Sequence, residues 1–233
     1  EFILLILVIF SILVVLGFWL LFPPKWVVHI IAKMYPDVIF FGNVKNGRRR
    51  IAITIDDGIK GESTVELVNI AEKYGAKITW FIIRDHAQQN DPNKHLLTRM
   101  RSLGHEIANH GTRDRPAIKI PKLYFERDIL ETDEWIGSTN LFRPGSAFFD
   151  SEMLSIVKKL RKKTVLGAVH PHDPRTRRFQ AFNAWYCKWR AAPNDIIVLH
   201  DFPETVQVLE SILIHFAERG YECVTVSELL EPE

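Results

Sequence analysis

The sequence predicts an α/β domain, a distorted (β/α)7-type barrel preceded by an N-terminal transmembrane helix. Three observations predict it. First, seven short β-favouring runs alternate with helical segments from residue 51 onward. Such alternation implies a parallel sheet with helices outside it, and seven or eight units favour a closed barrel over an open sheet. Second, the residues best suited to chemistry follow strands, where barrels place their sites. Third, Phe2 to Phe22 carries no charged residue and is almost entirely Leu, Ile, Val and Phe.

That apolar run heads the chain. At about 1.5 Å per residue it reaches about 30 Å, the thickness of a bilayer core. Trp19, Trp26 and Pro23-Pro24-Lys25 make an interface-like end. A cleaved signal peptide is the competitor, but the run is long for a signal core and no small-residue cleavage site follows it. The expectation is a single-pass membrane anchor over residues 1–22, with the catalytic domain on the extracellular or lumenal side. Residues 23–46 read as a connector, with a juxtamembrane helix at Val27–Ala32 and an extra strand or plug at Val38–Phe41. Residues 47–233 form the main domain.

The domain opens on Ile51-Ala52-Ile53-Thr54-Ile55-Asp56-Asp57-Gly58, a buried strand running into two carboxylates and a glycine. Adjacent side chains on a strand point to opposite sides. Asp56 and Asp57 therefore share a site only if the strand ends there and the backbone turns. Ser63-Thr64-Val65-Glu66 reads as a capping box opening a helix that ends near Tyr74-Gly75. Ile78–Ile83 is a strand, Pro92–Leu103 a helix closed by Gly104, and Glu106–Asn109 a short strand. Pro121–Ile136 is an amphipathic helix with Leu123, Ile129, Leu130 and Ile136 on its apolar side. Leu141-Phe142-Arg143 ends a strand, and Asp150 or Ser151 caps a helix running to Leu160. Val165–Val169, Ile196–Leu199 and Cys223–Val226 are strands. Phe179–Ala191 and Glu204–Arg219 are helices, and Ser227 with Glu228 starts a terminal one.

Composition excludes several classes. A formal charge of +2 predicts no nucleic-acid partner. The short clusters Arg48-Arg49-Arg50, Arg161-Lys162-Lys163 and Arg175 to Arg178 lack interleaved aromatics and read as solvated loop or helix-end charges. Cys187 and Cys223 make no disulfide framework. They read as two buried or half-buried thiols, with one bridge between them as the alternative. No Gly-x-Ser-x-Gly occurs, which argues against a serine hydrolase. A phosphoesterase would need a second cluster of metal ligands. Only His170 and His172 are spare, and they read as loop residues beside prolines.

His110 and Asp114 stand four residues apart, so one helical turn or a tight loop can aim both at one point. With Asp57 they offer one nitrogen and two carboxylates, enough for a divalent metal with open positions. Alone, each is an ordinary loop residue. Together with Asp56, Arg143, Ser146, Asp173 and His200, all after strands, they gather at one mouth.

From Arg50 to Leu230 the chain resembles the polysaccharide deacetylases, carbohydrate esterase family 4. Thr54-Ile55-Asp56-Asp57-Gly58 matches the first family motif, and Asn109-His110-Gly111-Thr112-Arg113-Asp114 the second. Arg143-Pro144-Gly145-Ser146 matches the third in part. Asp173 is the best candidate for the fourth, and Leu199-His200-Asp201 ends the fifth. The resemblance implies an N-deacetylase acting on chitin oligomers or related N-acetylated glycans. It implies Asp56 as general base, Arg143 as its partner, His200 as general acid and Asp173 as the orienter of that ring. It implies Asp57, His110 and Asp114 as ligands for a divalent metal, usually zinc, with Mn²⁺, Fe²⁺ or Co²⁺ as alternatives. The Ser146 N–H would assist the oxyanion, and Val198 and Leu199 would lie near the acetyl methyl.

Two departures qualify this. Asp114 replaces the usual second histidine, which shifts the site toward harder ions. Gly145-Ser146 removes an aromatic wall from the substrate groove. The rival reading is a non-catalytic carbohydrate-binding protein on the same fold. Other expected partners are the membrane, through the first helix, and no second subunit.

Overall fold

The computed structural model describes residues 6, 9, 10, 17, 22–44 and 47–232. The chain divides into two compact units, Glu1–Pro36 and Asp37–Glu233. Within the first, α1 (Lys25–Met34) covers the expected juxtamembrane helix. No helix among the described residues is long and apolar enough to cross a membrane. The expected span at residues 1–22 lies almost wholly outside the described residues. The second unit begins before the expected boundary at residue 47, because β1 (Val38–Ile39) pairs in parallel with β6 (Lys163–Val165).

The remaining strands are β2 (Arg49–Gly58), β3 (Ile78–Ile82), β4 (Glu106–Asn109), β5 (Leu141–Phe142), β7 (Ile196–His200) and β8 (Tyr221–Val224). They form one sheet in the order β1-β6-β5-β4-β3-β2-β7, and all their pairings are parallel. Ala52 pairs with Ile196 on one side and Val224 on the other, so β8 extends the β3 edge of β2 at its start. The expected closed barrel is not fully closed. Among the described residues, isolated bridges alone join the two ends of the sheet, Val169 to Ile197 and Phe41 to Asp195. The β6 strand stops at Val165, and the chain turns at Gly167 (φ +84) before Val169 makes its single bridge.

The interior is filled by one side chain per strand. Ala52, Phe81, Ala108, Leu141, Val165 and Ile196 form a single buried cluster, plugged by Val226 and Leu229 of the terminal helix α10 (Val226–Leu230). Thr225 caps that helix in a capping box with Glu228, two residues earlier than Ser227.

The outer helices follow the predicted order, with corrections. α2 (Glu62–Lys73) starts after Gly61, and no side chain caps it. Ser63 and Thr64 instead donate to the carboxylate of Asp201, at 2.6 and 2.5 Å. An unexpected helix α3 (Arg84–Asn90) follows β3, and α4 (His95–Ser102) starts later than Pro92. Lys94 is left-handed (φ 58), and Asp91 caps the delayed start by accepting from the Leu96 and Leu97 N–H groups. Helix α5 (Lys122–Ile136) buries Phe125, Ile129, Thr132 and Ile136. Leu123 is 83% exposed and Leu130 47%, so the apolar face is not the stripe the leucines suggested. Helices α6 (Ser151–Lys159), α7 (Asp173–Thr176), α8 (Gln180–Arg190) and α9 (Pro203–Glu218) complete the domain. Asp150 caps α6 through the Met153 N–H.

Two expected surface charges are buried. Arg50 donates to the Glu228 carbonyl, and Lys162 pairs with Asp133 at 2.5 Å. Both cysteines are free thiols, Cys187 buried and Cys223 half-buried. Burial pushes the Cys223 thiol up to about 12, so it carries no reactive thiolate at neutral pH.

Candidate active site

Side-chain alternation delivers four functional groups to one mouth. Ala52, Ala108, Leu141 and Ile196 face the interior. Counting onward in twos along each chain segment reaches Asp56, His110, Arg143 and His200. Asp56 and His200 are register partners on neighbouring parallel strands. Asp57 is out of phase with this rule. It reaches the same mouth because its backbone is left-handed (φ 65) and the β2–β3 register shifts between Asp56 and Gly58. The turn that the two carboxylates required is therefore present.

Arg143 is 2% exposed and fixes the centre. Its Nη1 donates to Asp56 Oδ1 at 2.5 Å and to Thr54 Oγ1 at 2.8 Å, and its Nε donates to the Val165 carbonyl at 2.9 Å. The guanidinium lies 3.9 Å from the ring centroid of Phe81, the floor of the site. Burial lowers the Arg143 pKa, and the Asp56 carboxylate works against that.

The His110 Nδ1 lies 2.7 Å from the Arg143 carbonyl oxygen. That oxygen only accepts, so Nδ1 carries a proton and donates to it. Nε2 faces Asp57 Oδ1 at 3.5 Å and Asp56 Oδ2 at 3.7 Å. Two carboxylates and an imidazole thus converge, donor types that suit a divalent cation. A histidine ligand oriented through its other nitrogen is the usual form of such a site. Burial works to raise the Asp57 pKa, but His110, His200, Lys60 and His86 outweigh it, and the carboxyl is held below its ordinary value.

The third expected ligand is elsewhere. Asp114 is exposed and makes no ion pair with the site. Among the described residues, no group of three His, Cys, Asp or Glu side chains is arranged to hold a metal ion. A Cβ on Gly145 would stand 2.2 Å from the Arg115 carbonyl oxygen. The backbone just after Asp114 therefore packs closely on Gly145.

His200 is held twice by Asp173, which accepts from its Nδ1 at 2.8 Å and its backbone N–H at 2.7 Å. Burial alone would lower the His200 pKa. Asp173 chiefly, then Asp56 and Asp57, raise it to about 9. His170 stacks edge-on at 5.7 Å from His200, and burial followed by the neighbouring His200 keeps its own pKa well below the ordinary value.

The family model for polysaccharide deacetylases matches residues 43–165. The chain is 32% identical over 197 residues to a peptidoglycan-N-acetylglucosamine deacetylase of Bacillus cereus, covering 80% of this chain and 91% of that protein. The chain belongs to the polysaccharide deacetylase family. Its fold is shared with a solved peptidoglycan deacetylase of Bacillus subtilis at a TM-score of 0.73 and 24% identity, covering 80% of this chain and 92% of that one. It is shared equally with a pseudoenzyme of the same family from Bacillus anthracis, at 0.73 and 18% identity, covering 83% and 69%.

Of the family positions, the structure brings together Asp56, Asp57, His110, Arg143, Asp173 and His200. Val198, two residues before His200, shares its face and is 2% exposed. Leu199 falls on the opposite face of β7 and is fully buried. Ser146 sits at an exposed left-handed turn (φ 63). The sequence reading missed Thr54, Lys60, Phe202 and Asp201. Thr54 and Phe202 were findable, because each stands two residues from a family motif position, Asp56 or His200. Lys60 and Asp201 were not, because their roles depend on contacts across the fold.

Proposed function

We propose that this protein removes acetyl groups from N-acetylated glycans by metal-assisted hydrolysis. The observation that carries the proposal is the pairing of Asp56 with His200 on adjacent strands. One is a carboxylate fixed by a buried arginine, the other an imidazole fixed by a buried carboxylate. Ligand binding alone needs neither arrangement; amide hydrolysis needs both a base and an acid.

Asp57 and His110 would hold the cation, zinc or one of Mn²⁺, Fe²⁺ and Co²⁺. When bound, it would polarise the acetamide carbonyl and lower the pKa of the attacking water. Asp56 has one oxygen tied to Arg143 and the other turned toward His110, and that free oxygen takes the proton from the water. His200 has its Nδ1 tied to Asp173, so Nε2–H is the proton delivered to the departing nitrogen. Val198 bounds the side where the acetyl methyl would lie, and the Ser146 N–H turns toward the oxyanion. Substrates within this reading are peptidoglycan, the glycan named for the Bacillus cereus relative, and chitin oligomers.

Acetate release from N-acetylglucosamine oligomers and peptidoglycan fragments, with each metal added in turn, tests the reading. Asp56→Asn and His200→Ala should each abolish release. The exposed Asp114 favours a second reading, a carbohydrate-binding protein with weak or no turnover. Glycan binding without acetate from any metal or glycan would establish it. We also read the protein as a monomer anchored by residues 1–22, with the site outside the membrane; protease accessibility on intact and broken cells checks the side.

A further inference from the structure

The cluster Arg175 to Arg178 stands apart from the arginines that pair with carboxylates. Arg84, Arg99, Arg113, Arg115, Arg127 and Arg143 all pair with carboxylates. Arg175, Arg177 and Arg178 are exposed, and among the described residues none has a carboxylate partner. They lie on and just after α7, the short helix that begins with Asp173. Uncompensated positive charge is therefore concentrated on the His200 edge of the mouth.

One ring organises it. The Arg177 guanidinium carbon lies 4.7 Å from the Phe202 ring centroid, and Lys60 Nζ lies 4.5 Å from the same centroid. Phe202 stacks on His200 at 6.0 Å with an interplanar angle of 18°. Lys60 Nζ is also 3.5 Å from Asp57 Oδ2. A half-buried aromatic thus carries two cations, in contact with both the general acid and the carboxylate proposed to hold the metal.

Lys60 offsets part of the Asp57 charge, but deacetylation of a neutral sugar has no use for Arg177 or for the flanking Arg175 and Arg178. The base and the acid are already supplied, and the product amine is protonated at neutral pH and repelled by them. They match a substrate that brings its own anion. We propose that Lys60 and Arg177, held on Phe202, form an anion subsite that selects an N-acetylated glycan bearing a carboxylate on the reacting sugar or its immediate neighbour. Guanidinium and ammonium donors both suit a carboxylate, and Arg175 and Arg178 extend the attraction over about a Debye length, 8–10 Å at physiological salt. The inference rests on the deacetylase reading above and narrows its substrate class.

The test uses one glycan in two charge states. Oligomers of alternating N-acetylglucosamine and N-acetylmuramic acid are prepared with the lactyl carboxylate free or converted to its methylamide. Binding is measured by calorimetry on the metal-free protein, and acetate release on the metal-loaded protein. The free acid should bind about tenfold more tightly at low salt, and the difference should shrink as salt rises. Arg177→Gln and Arg177→Glu should reduce the free-acid to methylamide ratio in that order, in both Kd and kcat/KM. Equal binding of the two forms, or a ratio that Arg177→Glu leaves unchanged, overturns the anion subsite. Selective binding of the free acid with no acetate from either form supports the subsite and overturns the deacetylase reading.

Discussion

Asp173→Asn isolates the physical origin of the acid. In the native protein His200 is lifted from an ordinary 6.5 to about 9, chiefly by the Asp173 charge and hydrogen bond working against burial. That distance corresponds to about 3 kcal/mol of preference for the imidazolium. With the charge removed, burial remains, and the ring should titrate at or below its ordinary value. At pH 8 the protonated fraction of such a ring is about 3%, so release of acetate at that pH should fall at least about thirtyfold. The loss should narrow as the medium is made more acidic. Stability follows the same sign. A raised pKa adds stability that is fully present below 6.5 and lost as the pH rises through about 9. Native stability should therefore decline over that window, and the decline should vanish in the variant. NMR titration of the His200 ring in metal-free protein reads the pKa, and a pH–rate profile reads the consequence. A variant ring that still titrates near 9, or an alkaline limb that does not move, would refute the assignment of Asp173 as the source.

Other outcomes follow from single contacts. Arg143→Met leaves Asp56 buried beside His110 without its cation; it should cost about 3–5 kcal/mol in denaturant unfolding, and a loss below about 1 kcal/mol would show that the pair is not holding the centre. Gly145→Ala drives a methyl group into the Arg115 carbonyl and should cost about 1–3 kcal/mol, seen as a lowered Tm; an unchanged Tm would mean the loop yields freely. His110→Ala should weaken metal affinity at least about tenfold, whereas Asp114→Ala should change it less than about threefold. Metal titration followed by calorimetry separates the two, and comparable losses would place Asp114 among the ligands.

Much of this was legible along the chain. The strand–helix alternation, the strand ends that carry Asp56, Arg143 and His200, and the interior phase that joins them depend on local periodicity. A period of two fixes which residues share a face before any partner is known. That phase also separates Val198 from Leu199, which a motif match alone treats alike. Short-range pattern was misleading wherever a distant segment competed for a side chain. Ser63 and Thr64 had the spacing of a helix cap, yet they bind Asp201, more than a hundred residues away in sequence. Arg50 and Lys162 looked solvated and became buried, because the Glu228 carbonyl and Asp133 meet them across the fold.

The sequence by itself determined a parallel α/β domain with a carboxylate and an imidazole at its strand ends, because strand phase and strand order are properties of the chain. Only the tertiary structure decided what stands around them. A left-handed backbone at Asp57 brings the second carboxylate into the site, and Asp114 stands at the surface. Two cations on Phe202 add positive charge that no local pattern revealed. These features arise from the meeting of segments far apart in sequence, and no window along the chain contains both partners.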